Sequence, residues 1–245
     1  MYFQEKLLFH PEEIPKSEKY TYDSDFEEKY YTVEKGVELN TLLFSADTAS
    51  ENRKLVFFIH GNGENLKTLG GVASSFTDKG YDCFLYDYRG YGKSDGTIDS
   101  EARLFADAQI LYAQMKQLYA EEDIVIVGYS IGTGIASWLA SKNSPDKLIL
   151  EAPYFSMKNM MENKYPIFPT FLLHYPLEND KHLKATNCPI YIFHGDKDEV
   201  VPFSSSQNLK KMKDEINLTR LKGLGHTGFA KDKKYQEVLS EILSN

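Results

Sequence analysis

Only two cysteines occur in the 245 residues, together with a single tryptophan. Cys83 and Cys188 lie in or beside the apolar strand-like runs Asp82–Tyr86 and Pro189–Phe193. A chain of this length builds its own core and needs no covalent staple, so each reads as a buried free thiol. Neither sits on a strand-to-helix turn, where a thiol nucleophile would be placed. Excess positive charge is also missing. The formal net charge is −8 and the pI is near 5.3, which leaves no basic face to release counterions from a nucleic-acid backbone. The acidic balance serves solubility. No apolar run approaches the roughly 20 residues that a membrane span requires. The opening Met1–Phe9 is too short and too charged for a signal peptide. There is no HExxH motif and no Cys/His cluster with ligand spacing, so no metal and no organic cofactor are implied. The expected setting is the reducing cytoplasm.

What is present is a hydrophobic share of 42%, enough for one α/β domain with a buried central sheet. Residues 1–26 are polar and tyrosine-rich, with Pro11 and Pro15 against helix formation. They read as an arm that packs on the body, the other reading being contact with a membrane surface. Tyr30–Glu34 and Val37–Phe44, joined at Lys35-Gly36, read as an antiparallel hairpin. Lys54–His60 is a continuous apolar run of the kind found in strands buried on both faces. Helices then alternate with strands. The helices are expected over Asn65–Asp78, Ser100–Tyr119, Ile131–Ser141, Ser204–Asp214 and Asp232–Leu243. The strands are expected over Tyr81–Tyr86, Asp123–Val127, Lys147–Leu150, Ile190–Phe193 and Asn217–Leu221. This alternation predicts an α/β fold with a mostly parallel sheet of about eight strands covered by helices on both faces. Sites in such sheets lie outside the carboxyl ends of the strands. Residues 153–184 break the rhythm with Pro166, Pro169 and Pro176 and are rich in Phe155, Met157, Met160, Met161, Ile167, Phe168, Phe171, Leu172 and Leu173. An insertion at that edge reads as a small lid. Most of its apolar side chains hold it to the body, and a minority line an acyl pocket.

The chemistry centres on Gly128-Tyr129-Ser130-Ile131-Gly132, between a buried strand and a helix. A serine on such a turn is held in a strained conformation with its hydroxyl exposed. A Cβ at Gly128 or Gly132 would crowd the turn. The helix start offers unpaired N–H groups to a developing oxyanion. The serine needs a base at the same edge. His226, in Gly223-Leu224-Gly225-His226-Thr227-Gly228, follows the last strand and fits. His10, His174 and His182 fall in the arm or the insertion, whereas His60 and His194 precede glycine at strand ends and read as turn-stabilising. The Gly223–Gly228 stretch matches GxGxxG, but too little chain follows for a dinucleotide-binding βαβ unit. The imidazole needs a carboxylate to fix its tautomer. Asp196, Asp198 and Glu199 all follow the strand before it, with Asp198 deepest in the loop; Glu151 is a more distant candidate that suits a structural hydrogen bond better. The order Ser130, Asp198, His226 is that of α/β-hydrolases. The oxyanion donors are expected to be the backbone N–H groups of Ile131 and Asn62, with the Asn62 side chain tying down its loop and Asn65 capping the next helix.

His60-Gly61-Asn62, Asp87-Tyr88-Arg89-Gly90-Tyr91-Gly92-Lys93-Ser94, the GxSxG elbow, HGxxDxxVP at His194–Pro202 and the terminal Gly225-His226 together resemble the α/β-hydrolases. Within them the chain looks similar to the ABHD-type and Bem46-like serine hydrolases, over about Phe26 to the C-terminus. The resemblance implies the α/β-hydrolase fold, places the acid on Asp198 rather than Asp196, and makes Asp87–Ser94 structural. Relatives include esterases, acyl-protein thioesterases and S33-type peptidases, many with an N-terminal membrane anchor. Phe3–Phe9 resembles the segment that follows such an anchor. The expected activity is hydrolysis of a small-molecule or acyl-chain ester or thioester through an acyl-enzyme. A serine peptidase or amidase is the alternative. A non-catalytic binding protein on the same scaffold typically lacks a member of the triad, and here all three are present.

Overall fold

The computed structural model describes residues 3–47, 53–164 and 172–244. Eight strands form one sheet: β1 (Phe26–Glu34), β2 (Val37–Phe44), β3 (Lys54–Ile59), β4 (Tyr81–Tyr86), β5 (Ile124–Tyr129), β6 (Lys147–Glu151), β7 (Ile190–Gly195) and β8 (Asn217–Leu221). Their order is β1-β2-β4-β3-β5-β6-β7-β8. The β1/β2 and β2/β4 pairs are antiparallel and every other pair is parallel. This is the mostly parallel sheet that the alternating pattern predicted, in the arrangement the α/β-hydrolase resemblance implied.

The period-two pleat explains why both faces are covered. On β3, Leu55, Phe57 and Ile59 enter one core, while Val56 and Phe58 enter the other; on β5, Ile124 and Ile126 part from Val125 and Val127 in the same way. The first core is completed by Leu104, Ala108 and Leu111 of α3 (Glu101–Met115) and by Ile135 and Leu139 of α4 (Gly132–Lys142). The second is completed by Leu69, Ala73 and Phe76 of α2 (Leu66–Thr77) and by Tyr235, Leu239 and Ile242 of α8 (Lys233–Ser244). Each fully buried Val, Leu, Ile or Phe among them contributes about 1.5–3 kcal/mol of transfer free energy. Both faces therefore need a helical layer.

The helix after β3 goes to one face and the helix after β5 to the other, so the strand order reverses between these neighbours. Adjacent loops that part in this way leave a crevice at the carboxyl edge. The loop after Ile59 and the turn after Tyr129 flank it.

Several boundaries differ from expectation. Strand β1 starts at Phe26 rather than Tyr30 and pairs with β2 from Phe26 opposite Phe44 to Glu34 opposite Val37, with the register shifting between Thr32 and Glu34. Adjacent Glu27 and Glu28 hide the alternation there, and the Phe26–Phe44 contact, with ring centres 5.5 Å apart, supplies the missing reason. Helix α3 stops at Met115, short of Tyr119, and continues as a turn that leaves Leu118 61% exposed. The N-terminal arm contains a helix, α1 (Phe3–Leu8), ahead of the two prolines. Six residues cannot sustain a helix alone. Here Gln4 donates to the carbonyl of Leu172 (2.6 Å) and accepts from the N–H of His174 (2.9 Å), and Glu5 accepts from the Tyr175 hydroxyl (3.0 Å).

Between β6 and β7 the described residues include two short helices, α5 (Met157–Lys164) and α6 (Asn179–Ala185). Asn179 is fully buried, accepting from the Ser137 hydroxyl (2.6 Å) and donating to Thr133 Oγ1 (3.0 Å) and the carbonyl of Tyr154 (2.8 Å). It locks this segment to α4. Ile167, Phe168 and Phe171 lie outside the described residues. The Asp87–Ser94 stretch is a brace. Arg89 donates to both oxygens of Asp107 on α3 (2.6 and 2.8 Å), and Asp87 accepts the N–H of Leu66 (2.9 Å). Cys83 and Cys188 are free thiols.

Candidate active site

Strand β5 ends in a tight turn. Ser130 has φ of +51°, a left-handed conformation that costs a non-glycine residue on the order of 1 kcal/mol or more. The turn persists because its surroundings over-determine it. The N–H of Ser130 donates to the carbonyl of Glu151 (2.9 Å), and its own carbonyl accepts from the Thr133 hydroxyl (2.6 Å). A Cβ at Gly132 would sit 2.4 Å from the carbonyl oxygen of Ile59, and one at Gly128 would sit 2.6 Å from the Cβ of Ala136. Both glycines are required for packing, as their spacing suggested.

The structure brings the three distant side chains together. His226 Nε2 is 2.9 Å from Ser130 Oγ, and His226 Nδ1 is 2.7 Å from Asp198 Oδ2. A second close approach makes this possible. The chain leaving β8 crosses directly over Gly195, where a Cβ would meet the carbonyl oxygens of Leu224 and Gly225 at 2.3 Å. The N–H of Lys197 donates to the carbonyl of Leu224 at 2.9 Å. These contacts fix the loop carrying Asp198 against the loop carrying His226.

Asp198 is held on every side. Oδ1 accepts from the N–H groups of Val200 (2.9 Å) and Val201 (2.8 Å). Burial opposes its charge, yet hydrogen bonds from His194, His226 and the N–H of Val201 outweigh that and hold the carboxyl well below the usual carboxylate range. It is a fixed anion beside the imidazole. Asp196 instead accepts from Arg220 Nε (2.9 Å) and the N–H of Gly223 (2.7 Å), bracing the β8 turn. Glu199 is exposed. Glu151 accepts from the Tyr235 hydroxyl at 2.5 Å and is pushed up to about 7 by burial. It lies beneath the elbow, away from the imidazole's partners.

The turn-stabilising reading of His194 covers only part of what it touches. It is fully buried, with Nδ1 2.6 Å from Ser206 Oγ and Nε2 2.9 Å from the carbonyl of Val201. The same Nε2 lies 3.3 Å from Asp198 Oδ2. Its spacing of four from Asp198 was the available signal, but in a loop such spacing carries no fixed geometry. His60 is also fully enclosed, with Nδ1 2.7 Å from the carbonyl of Gly61, and burial lowers it to about 4.

In the loop after β3, Asn65 caps α2, its side chain accepting from the N–H of Lys67 (3.0 Å). Glu64 Oε2 accepts from the N–H of Gly61 (2.9 Å), and burial raises its carboxyl. Among the described residues, the backbone N–H groups of Ile131 and Asn62 have no hydrogen-bond partner. Ser130, Ile131, Asn62 and His226 share one cavity of about 400 Å³ with Leu8, Tyr154, Met157, Met160, Met161 and Val201. No carboxylate lines it among the described residues. No helix among them is long and apolar enough to cross a membrane.

Comparison with known proteins agrees with this architecture. Residues 50–179 match the family Hydrolase_4, described as serine aminopeptidase, S33. Lysophosphatidylserine lipase ABHD12 of Rattus norvegicus is 30% identical over 187 residues, covering 66% of this chain and 46% of that protein. The chain thus spans about half the length of that relative. Protein bem46 of Schizosaccharomyces pombe is 29% identical over 217 residues, covering 82% of this chain and 72% of its own. The Pyrococcus furiosus esterase Pf2001 superposes with a TM-score of 0.76 over 97% of each chain at 16% identity, a likeness of fold. The chain belongs to the serine aminopeptidase S33 (Hydrolase_4) family, as an ABHD/Bem46-like α/β-hydrolase.

Proposed function

We propose that the chain is a serine hydrolase that cleaves carboxylic esters or thioesters through an acyl-enzyme on Ser130. The observation that carries this reading is the continuous hydrogen-bonded path from Ser130 Oγ through His226 to Asp198, opening on an apolar cavity. As Oγ attacks the carbonyl carbon, His226 Nε2 takes its proton, and Asp198 stabilises the resulting imidazolium through Nδ1–H. The N–H groups of Ile131 and Asn62 receive the oxyanion. Collapse expels the alcohol or thiol, protonated by His226, and a water activated by the same imidazole releases the acid.

In this reading residues 1–26 form an arm and residues 153–184 a lid on a single domain. The methionines of α5 provide an adaptable apolar wall for an acyl chain. Lipase among the names of the relatives supports a lipid-like ester as substrate.

A second reading, a serine peptidase or amidase, is favoured by the description of the matching family. An aminopeptidase needs an anionic partner for the free amine of its substrate. With no carboxylate among the described residues of the cavity, the ester reading is the better supported.

A fluorophosphonate probe tests the assignment. It is expected to label the native chain and not Ser130→Ala; equal labelling of both removes Ser130 from its role. Matched p-nitrophenyl esters and anilides then separate the two readings. Anilides turning over as fast as esters favour the peptidase.

A further inference from the structure

Part of the wall beside Ser130 comes from the far end of the chain. Leu8 and His10 line the same cavity as Ser130 and His226. Asn62 holds them there with its whole amide. Nδ2 donates to the carbonyl of Leu8 (2.8 Å), and Oδ1 accepts from the N–H of His10 (2.9 Å) and from the Tyr91 hydroxyl (2.8 Å). Between the two clamped residues, Phe9 is buried edge-on against Tyr175, with ring centres 5.1 Å apart. Further along, the N–H of Ile14 donates to the carbonyl of Gly92 (2.8 Å), and the N–H of Gly92 donates back to the carbonyl of Glu12 (2.9 Å).

Leu8 is therefore pinned from both directions along the chain, not draped on the surface. The amide does what neither a carboxylate nor an aliphatic side chain could, since it gives to a carbonyl and takes from an N–H at once. Leu8 is only half-buried. The exposed part of its side chain adds to an apolar lining otherwise built from Ile131, Val201 and the α5 methionines. The latch sits on the residue whose backbone N–H is the proposed oxyanion donor, so this wall and that donor keep a fixed mutual position.

We propose that the N-terminal segment Leu8–His10, latched by the Asn62 side chain, is a specificity-determining wall of the acyl pocket, with Leu8 limiting the length of the aliphatic chain accepted. This rests on the reading of Ser130 as nucleophile. A pocket wall of this kind discriminates by methylenes, each worth about tenfold or more where it is excluded.

Alkyl fluorophosphonates graded from ethyl to dodecyl, applied to the full chain, to Leu8→Ala and to Leu8→Trp, read the wall directly. Within each variant the labelling rates are normalised to the ethyl probe, which removes any difference in the folded fraction. Leu8→Trp is expected to slow the dodecyl probe by about tenfold or more relative to native, and Leu8→Ala to shift the preferred length upward. Superimposable profiles for all three chains overturn the wall and leave the nucleophile intact. Absence of labelling of the native chain by every probe overturns the reading of Ser130, and the wall with it.

Discussion

The elbow at Ser130 and the cover above it are built on opposite principles. In the elbow, sequence neighbours make the geometry. Ser130 bonds to Thr133, and Gly128 lets Ala136 of α4 press close against β5. In the cover, the contacts that tie it to the body join residues far apart in the sequence. Gln4 reaches His174, Asn62 reaches Leu8, and Asn179 reaches Thr133. Elements of the first kind hold a reacting atom within narrow tolerance, and elements of the second can be retuned without disturbing it. On the proposed function, the difference assigns reactivity to one region and selectivity to the other.

The largest expected effect lies in the reactive region. Asp198→Asn should lower turnover by about four orders of magnitude through loss of the fixed tautomer, whereas Asp196→Asn should change it little. Steady-state kinetics on both variants tests this, and the reverse pattern moves the acid to Asp196. Next, Gly132→Ala forces a Cβ against the Ile59 carbonyl. It should cost about 3 kcal/mol of stability, measured by urea unfolding, since the obstacle is backbone. An unchanged midpoint would mean that the elbow is less tightly set than its contacts imply.

A third probe lies beneath the elbow. Glu151 has its carboxyl raised from the ordinary 4.5 to about 7 by burial. The unfolded chain releases this proton first as pH rises, so its contribution to stability is present below 4.5 and declines up to about 7. Glu151→Gln should flatten that decline, recovering on the order of 2 kcal/mol at pH 8 relative to pH 5. Parallel melting curves against pH for the two chains would exclude it. The smallest effect belongs to the cover. Gln4→Ala removes two backbone contacts at a partly exposed site and should cost at most about 1 kcal/mol, seen as a small drop in Tm with the rate on a short ester unchanged. A loss of short-ester turnover would place the arm in the reactive region and erase the contrast.

Legibility in the sequence follows the same division. The continuous apolar runs of β3 and β5, each followed by a helical stretch, announce the sheet because burial on both faces demands continuous apolar sequence. GxSxG stands out because close packing at Gly128 and Gly132 leaves few residue types tolerable. The first four residues of β1 did not stand out, since their partner, β2, rather than their own pattern, keeps them extended. Helix α1 was equally hidden, its support coming from Leu172, His174 and Tyr175. His194 looked like a turn residue because nothing in a loop spacing tells which way an imidazole points.

The linear order of residues by itself determined which segments could be strands and helices, and which turn could carry a strained serine, because these depend on periodicity and on the size of near neighbours. Only the tertiary structure decided that Asn62 grips Leu8 and His10, that His194 touches Asp198, and that Leu8 lines the same cavity as Ser130. Those contacts join residues whose separation along the chain is unrelated to their separation in space, and the folded sheet edge is what brings them within a hydrogen bond's length.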